Sequence, residues 1–296
     1  MMIRTIPILT LLTSLLWPLS TVSQVIYHPS PEFEQDSRYN YFVDLLRLAL
    51  EESKQEFGHF ELFQVQNTMQ QKRQLLSLKH GLLSVAWTMT TAEREQHARP
   101  IRIPLMMGLL GYRLLVVNKQ DQARFASLER SQQLKPLLAY QGHDWPDLTI
   151  LQSNGYNAKP FSWFLGLYKQ LDLKKFDYYP RGILEAYREV DNVPFENLSV
   201  DSKHLLYYPT AIYFFVDQDN EILAQRLEAG LIRMVKTGKL KQFLLNYGTH
   251  RADLKRANIP SRTIHRLDNP MLSEQTPLED DRLWLSYDEL VDAASE

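Results

Sequence analysis

The sequence predicts an α/β protein built as two lobes. Three observations carry that expectation. From Val25 to Met89 the chain alternates strand, helix, strand, helix, strand. After Lys119 a second alternation begins. From Leu205 the chain closes with one more apolar strand and its clearest amphipathic helix. Alternation of this kind builds a parallel sheet with helices packed on it. A restart followed by a late return describes a chain that leaves one lobe, builds another and comes back. The length of 296 residues suits two such units.

The elements follow in order. "VIYHPS", Val25 to Ser30, reads as a short strand ended by a proline turn. In "SRYNYFVDLLRLALEESKQEFG", Phe42, Leu45, Leu46, Leu48 and Leu50 form a helical stripe that Gly58 can stop. "FELFQVQN" alternates as a strand. "MQQKRQLLSLKHG" is a helix ended by Gly81, and "LLSVAWTM" a strand buried on both faces. "GYRLLVVNK" is the next strong strand. "KPLLAYQG" is a strand, "DWPDLTILQSNG" a short helix, "PFSWFLGLYKQLDLKKF" a longer one, and "DYYPRGILEAYREV" an extended step into a helix. "LLYYPTAIYFFV", Leu205 to Val216, reads as one last strand. In the helix that follows, Leu223, Leu227, Leu231, Met234 and Val235 share a face, and Gly238 sits where a helix end favours positive φ. A second helix, "KLKQFLLN", comes next. The tail from Arg251 is rich in Pro, Asn and Asp and is expected to be mostly irregular. Its apolar points, Ile264, Leu267, Leu272 and Trp284, predict that it drapes over a lobe.

Composition narrows the function. Hydrophobic residues make up 44% and charged residues 23%, an ordinary soluble balance. The net charge of −2 gives no basic field for nucleic acid. Cysteine is absent, so disulfides, thiolate nucleophiles and zinc–thiolate sites are excluded. The opening stretch "MMIRTIPILTLLTSLLWPLSTVSQ" has one early charge at Arg4, an apolar run from Ile6 to Leu19, and small residues before Gln24. That is the build of a secretory signal peptide over residues 1–23, with an uncleaved anchor as the alternative. The run is short for a span and Pro18 breaks it.

Three stretches carry a family likeness. "WTMTTAEREQHARPIRIPL" resembles a strand, "T-x-x-R" turn and following segment. "GYRLLVVNK" resembles a strand crossing between lobes. "YYPTAIYFFVDQDNEILAQRLEAGLIRMVKTGKLKQFL" resembles a return strand and closing helix pair. In order and spacing, over roughly residues 25 to 248, the chain resembles the extracellular solute-binding proteins of family 3. "GHDWPDLTILQSNGY", "YYPRGILEAYREV" and "RLDNPMLSEQTPLEDDRLW" look like an uncharacterised branch of that superfamily. The resemblance implies the α/β, two-lobe type 2 periplasmic binding protein fold with two hinge crossings. One lobe would hold residues 24–117 and 207–296, including the tail 251–296, and the other residues 118–206. It also implies a periplasmic, monomeric binder of a small molecule, serving a membrane permease of an ABC transporter or a membrane sensor.

The resemblance places candidate ligand contacts. In amino-acid binders of the family the arginine of the turn clamps the ligand carboxylate, and that position here is Arg94. A guanidinium offers a carboxylate two parallel donors; the alternative is a surface pair with Glu93 or Glu95. Thr88 and Thr90 could hold the same oxygen. Trp87 is either a stacking wall or a core residue. Where the family has a glycine-led loop with hydroxyls, this chain keeps Gly142 but has His143 and Asp144. Near the expected ammonium-binding acid stand Arg181 and Gly182, with Glu185 one turn on. These departures weigh against an ordinary α-amino acid and toward an anionic ligand with more than one acidic group.

Signals of chemistry are sparse. There is no phosphate-binding loop, no G-x-G-x-x-G and no G-x-S-x-G. His80, His97, His143 and His204 lack metal-ligand spacing, so neither metal nor cofactor is expected. The leading expectation is a non-catalytic binder. The alternatives are a dehydratase-like periplasmic enzyme using Glu185 or Asp144 as acid or base, and a ligand-free scaffold acting through its unusual tail.

Overall fold

Two sheets, each with its own helices, divide the chain. The structure is a computed structural model describing residues 23–31, 36 and 38–295. The expected leader therefore lies outside the described residues, apart from Ser23. In the first layer β1 (Gln24–His28) pairs in parallel with β2 (Phe60–Gln64). The amides of Ser84 and Val85 donate to the Tyr27 carbonyl, joining this pair to β3 (Ala86–Met89). β10 (Ile212–Val216) then lies antiparallel between β3 and β4 (Arg99–Ile101). The expected parallel sheet thus holds for β1 and β2, and the returning strand runs against its neighbours.

The second sheet has six strands in the order β11, β9, β5, β8, β6, β7. They are β5 (Tyr112–Asn118), β6 (Ala139–Gly142), β7 (Ala158–Phe161), β8 (Tyr178–Gly182), β9 (Leu198–Tyr207) and β11 (Thr263–Arg266). β5 and β8 are buried at nearly every position because strands flank them and helices cover both faces. On the first lobe, the helix Tyr39–Glu52 buries Phe42, Leu45, Leu46 and Leu50 as its stripe predicts, and leaves Leu48 half-buried. It packs on the helix Glu221–Lys236, which buries Leu223, Leu227, Leu231 and Met234. The three expected helix stops, Gly58, Gly81 and Gly238, all have positive φ, at 80°, 68° and 71°.

Several expectations need correction. The apolar run Leu205–Val216 is two strands in different sheets. β9 ends at Tyr207 in the second sheet, Tyr208 to Ala211 cross, and β10 begins at Ile212 in the first. Pro209, which has no N–H for a ladder, sits in that crossing. The outward crossing precedes β5, not Asn118, since β5 lies in the second sheet from Tyr112 onward. The two crossings touch: the Tyr208 amide donates to the Gly111 carbonyl at 3.2 Å. A side chain at Gly111 would place its Cβ 2.2 Å from the Tyr208 carbonyl oxygen, so only glycine fits there. The long helix expected from Pro160 is strand β7 followed by the helix Phe164–Asp172. β7 is an edge strand, which is where a sheet tolerates proline.

The tail holds more regular structure than expected, with the helices His250–Ala257 and Tyr287–Ser295 and the strand β11. β11 pairs with β9 and so belongs to the second sheet, not to the first lobe with the rest of 207–296. Beyond β11 the tail runs back. Asn269 donates to the Pro209 carbonyl at 2.9 Å, Ala92 donates to the Met271 carbonyl at 2.9 Å, and Leu285 donates to that of Met107 at 3.0 Å. The tail is therefore a third connection between the sheets, beside the two expected ones. Trp284 is half-buried in it, its indole N–H donating to the Pro277 carbonyl at 2.8 Å.

A histidine pair fastens β11. His204 Nε2 donates to the Phe125 carbonyl at 2.9 Å, which leaves Nδ1 to accept from His265 Nε2 at 2.9 Å. Burial, helped by His204, lowers the His265 pKa to about 4, and burial lowers that of tail residue His250 to about 4. Both groups take up protons more readily unfolded, near 6.5, than folded. Stability is therefore complete above 6.5 and falls as pH drops from 6.5 toward 4. Hydrogen-exchange protection factors, taken against the intrinsic rate at each pH, are expected to fall first at Thr263–Arg266 across that range. Uniform exchange throughout the chain would contradict this.

Candidate functional site

The lobes meet over a polar cleft, and the T-x-x-R turn stands at its edge. Thr91 caps the short helix Ala92–His97, its Oγ accepting from the Arg94 amide at 3.0 Å. That cap is the local reason for the spacing: it fixes Arg94 in the first turn with its side chain reaching back over β3. Nη1 of Arg94 lies 2.9 Å from Gln71 Oε1, 2.6 Å from Thr88 Oγ and 2.9 Å from the Met89 carbonyl. Its Nη2 donates across the cleft to the Asp144 carbonyl at 2.8 Å. Arg94 thus faces the interlobe boundary.

Asp144 ties the lobes a second time. Its carboxylate accepts from the Lys72 amide at 2.9 Å, at the N-terminus of the first-lobe helix Gln71–Lys79. The orphan amides and dipole of a helix start favour an anion there. The loop from Gly142 to Trp145 is therefore docked against the opposite lobe. Thr88 joins this cluster, donating to Gln71 Oε1 at 2.6 Å. Thr90 does not: its hydroxyl donates to Glu95 at 2.6 Å, and Glu95 in turn pairs with Arg102. His143 is exposed at the loop tip.

Behind this contact lies a cavity of about 40 Å³, room for about three water molecules. Trp87 is one of its walls, half-buried and stacked on Phe42 at 5.7 Å. It serves both as core and as cleft wall. Tyr39 and Trp145 complete the aromatic lining. Arg181, expected to face a ligand, is fully buried, lines this cavity and pairs with carboxylates of its own lobe. It forms two 2.6 Å bonds to the Glu189 carboxylate and a 2.9 Å ion pair with Glu185. Its guanidinium also lies 4.9 Å from the Trp145 ring centre and 5.1 Å from that of Tyr179. Glu185 further meets Arg38 at 3.2 Å and Arg113 at 3.9 Å. Arg113 pairs with Asp147 at 2.6 Å and donates to Tyr208 at 2.9 Å, while the Tyr208 hydroxyl donates to Asp147.

Burial alone would raise the Glu185 pKa, but Arg181, Arg38 and Arg113 overrule it and hold it down at about 2. Glu185 is thus a fixed anion, too weak a base and never an acid near neutrality. Its contribution to stability is present above the unfolded carboxylate pKa and lost only as pH falls toward 2.

Sequence reasoning missed most of this network. Gln71, Arg38, Asp147 and Glu189 carry no motif. Arg113 had a usable signal: it is the lone charge inside an apolar strand, and such a charge must find a partner. The cleft also opens into two larger grooves. One, of about 410 Å³, runs past Arg94, His97 and Met271. The other, of about 280 Å³, runs between Gln71 and Trp163.

Removing one partner of the buried pair tests its weight. Glu189→Ala leaves the Arg181 guanidinium under-compensated in a dry site, and is expected to cost about 3–5 kcal/mol. Urea unfolding should show a lower midpoint with an unchanged slope. A loss below about 1 kcal/mol, the range of an exposed pair, would contradict the assignment.

No family model and no curated protein matches the chain. Solved structures do. The arginine-specific periplasmic binding protein of Salmonella typhimurium aligns at a TM-score of 0.56 and 14% identity, over 75% of this chain and 97% of that one. An ancestral arginine-binding protein bound to arginine aligns at 0.56 and 16%, over 76% and 98%. A glutamate-bound ligand-binding core from Nostoc punctiforme aligns at 0.51 and 14%, over 74% and 96%. The chain has the two-lobe α/β fold of the periplasmic binding proteins. Among the described residues, no helix is long and apolar enough to cross a membrane.

Proposed function

We propose that the protein is an exported, non-catalytic solute-binding protein whose lobes close on a small anionic or amino-acid-like ligand. The observation that carries this reading is Arg94, which stands at the end of β3 and donates across the lobe boundary to the Asp144 carbonyl. A ligand carboxylate entering the opened cleft would take the place of that carbonyl. It would bind the closed state better than the open one, and so draw the lobes together. Thr88 and Gln71 orient the guanidinium, and Trp87 and Trp145 supply flat walls. A permease or a membrane sensor is the partner this reading implies. Solved structures of like fold include a histidine kinase sensor domain and an amino-acid transporter substrate-binding protein from Streptococcus pneumoniae bound to L-arginine. An acid–base enzyme fits the site poorly, because Glu185 is locked as an anion.

One observation favours a second reading, a scaffold that stays closed. The inner cavity holds only about 40 Å³, and the buried arginines are matched by the protein's own carboxylates. Thermal unfolding against a library of amino acids, short peptides and dicarboxylates separates the two. A binder gains about 2.7 kcal/mol at a hundredfold excess of ligand over Kd. Arg94→Ala is expected to abolish that gain and to leave the ligand-free melting temperature within a few degrees. Undiminished stabilisation of the variant would remove the clamp, and no stabilisation by any compound would favour the scaffold.

A further inference from the structure

The groove of about 280 Å³ beside the cleft is built from a stretch the clamp does not use. "PFSWF", Pro160 to Phe164, joins β7 to the helix Phe164–Asp172 and places Phe161, Trp163 and Phe164 along one side. Trp145 and Tyr179 line the other, and Gln71 reaches in from the opposite lobe. Trp163 is 61% exposed, an unusual position for the largest apolar side chain.

Two glycines show that these rings are seated. A Cβ at Gly166 would lie 2.4 Å from the Trp163 ring, and one at Gly142 would lie 2.6 Å from the Trp145 ring. Glycine within a helix, as at Gly166, weakens it relative to alanine. At Gly166 the helix accepts that loss, and the indole lies flat over its first turn. Two polar groups lie close by. No lysine or arginine lines the groove among the described residues; Arg181 packs behind the Trp145, Phe164 and Tyr179 rings with its charge met by Glu185 and Glu189, and Asp144 contributes a carboxylate that also accepts from the Lys72 amide. The Tyr179 hydroxyl is buried and has no hydrogen-bond partner among the described residues.

We propose that this groove is a second binding site, specific for a small aromatic amine. The aromatic ring stacks on Trp163 and Trp145, and the ammonium lies over the ring faces and toward Asp144. The volume is near the lower end of ligand pockets, about 300 Å³, which suits a single ring with a short chain. Both lobes contribute, so occupancy would favour closure. The site goes beyond the clamp reading; it shares Gln71, Asp144 and Trp145 with the clamp, while Arg94 itself borders the other groove.

Calorimetric titration of the purified protein with tyramine tests it, with 4-hydroxyphenylacetate as the anion of matching shape. Saturable binding of tyramine is expected, with the anion at least roughly tenfold weaker. Trp163→Ala should weaken tyramine by roughly tenfold or more. Because that side chain is exposed, the variant should keep the wild-type circular dichroism. Gly166→Ala, which displaces the indole, should weaken tyramine in the same direction. Absence of saturable binding, equal binding of the anion, or an unchanged Trp163→Ala would each overturn the proposal.

Discussion

A guanidinium cannot lose its charge inside a protein, so a buried arginine dictates its surroundings. Arg181 is such a group, 1% exposed between Glu185 and Glu189. Both carboxylates bond to it, and its charge helps hold the Glu185 pKa down. Arg38 and Arg113 also meet Glu185, and Asp147 pairs with Arg113. The floor of the cleft is one connected set of charges, each holding the position of the next. Such a network contributes little net energy against apolar packing, but it tolerates few alternative arrangements. It fixes where the second lobe presents Trp145 and the docking loop.

The loop shows how one residue can serve both lobes. Asp144 accepts from Arg94 through its carbonyl and from Lys72 through its carboxylate. Both contacts run from the second lobe to the first. The tail adds to them, running from β11 in the second sheet to Met271 and Leu285 beside the first. Together they join the two sheets at several points of the chain. The hydrogen-bonded pair His204 and His265 ties that strap to the sheet.

The sequence was most informative where one rule acted alone. The stripes of the helices Tyr39–Glu52 and Glu221–Lys236 were legible because each buries a single face on a neighbouring element. The glycine stops were legible because positive φ is a local requirement. The run Leu205–Val216 misled because apolar content does not say which sheet a strand joins. "PFSWFLGLYKQ" misled because β7 owes its strand state to pairing with β6. At the site, Arg94 and Thr88 could be placed by a local motif. Thr90, one residue from the turn, was misassigned because its partner Glu95 lies on the next helix. Arg181 was named, but its buried bonds to Glu189 were not legible, since sequence spacing does not show which carboxylate folds onto it.

By itself the sequence determined the α/β class, the order of most elements and the arginine at the strand end. These depend on periodicity, turn chemistry and capping, which act over a few residues. Only the tertiary structure decided which strands share a sheet, that the tail joins the second lobe, and that the buried arginines are internally paired. Those outcomes depend on contacts between residues far apart in the chain, and burial, not spacing, sets their strength.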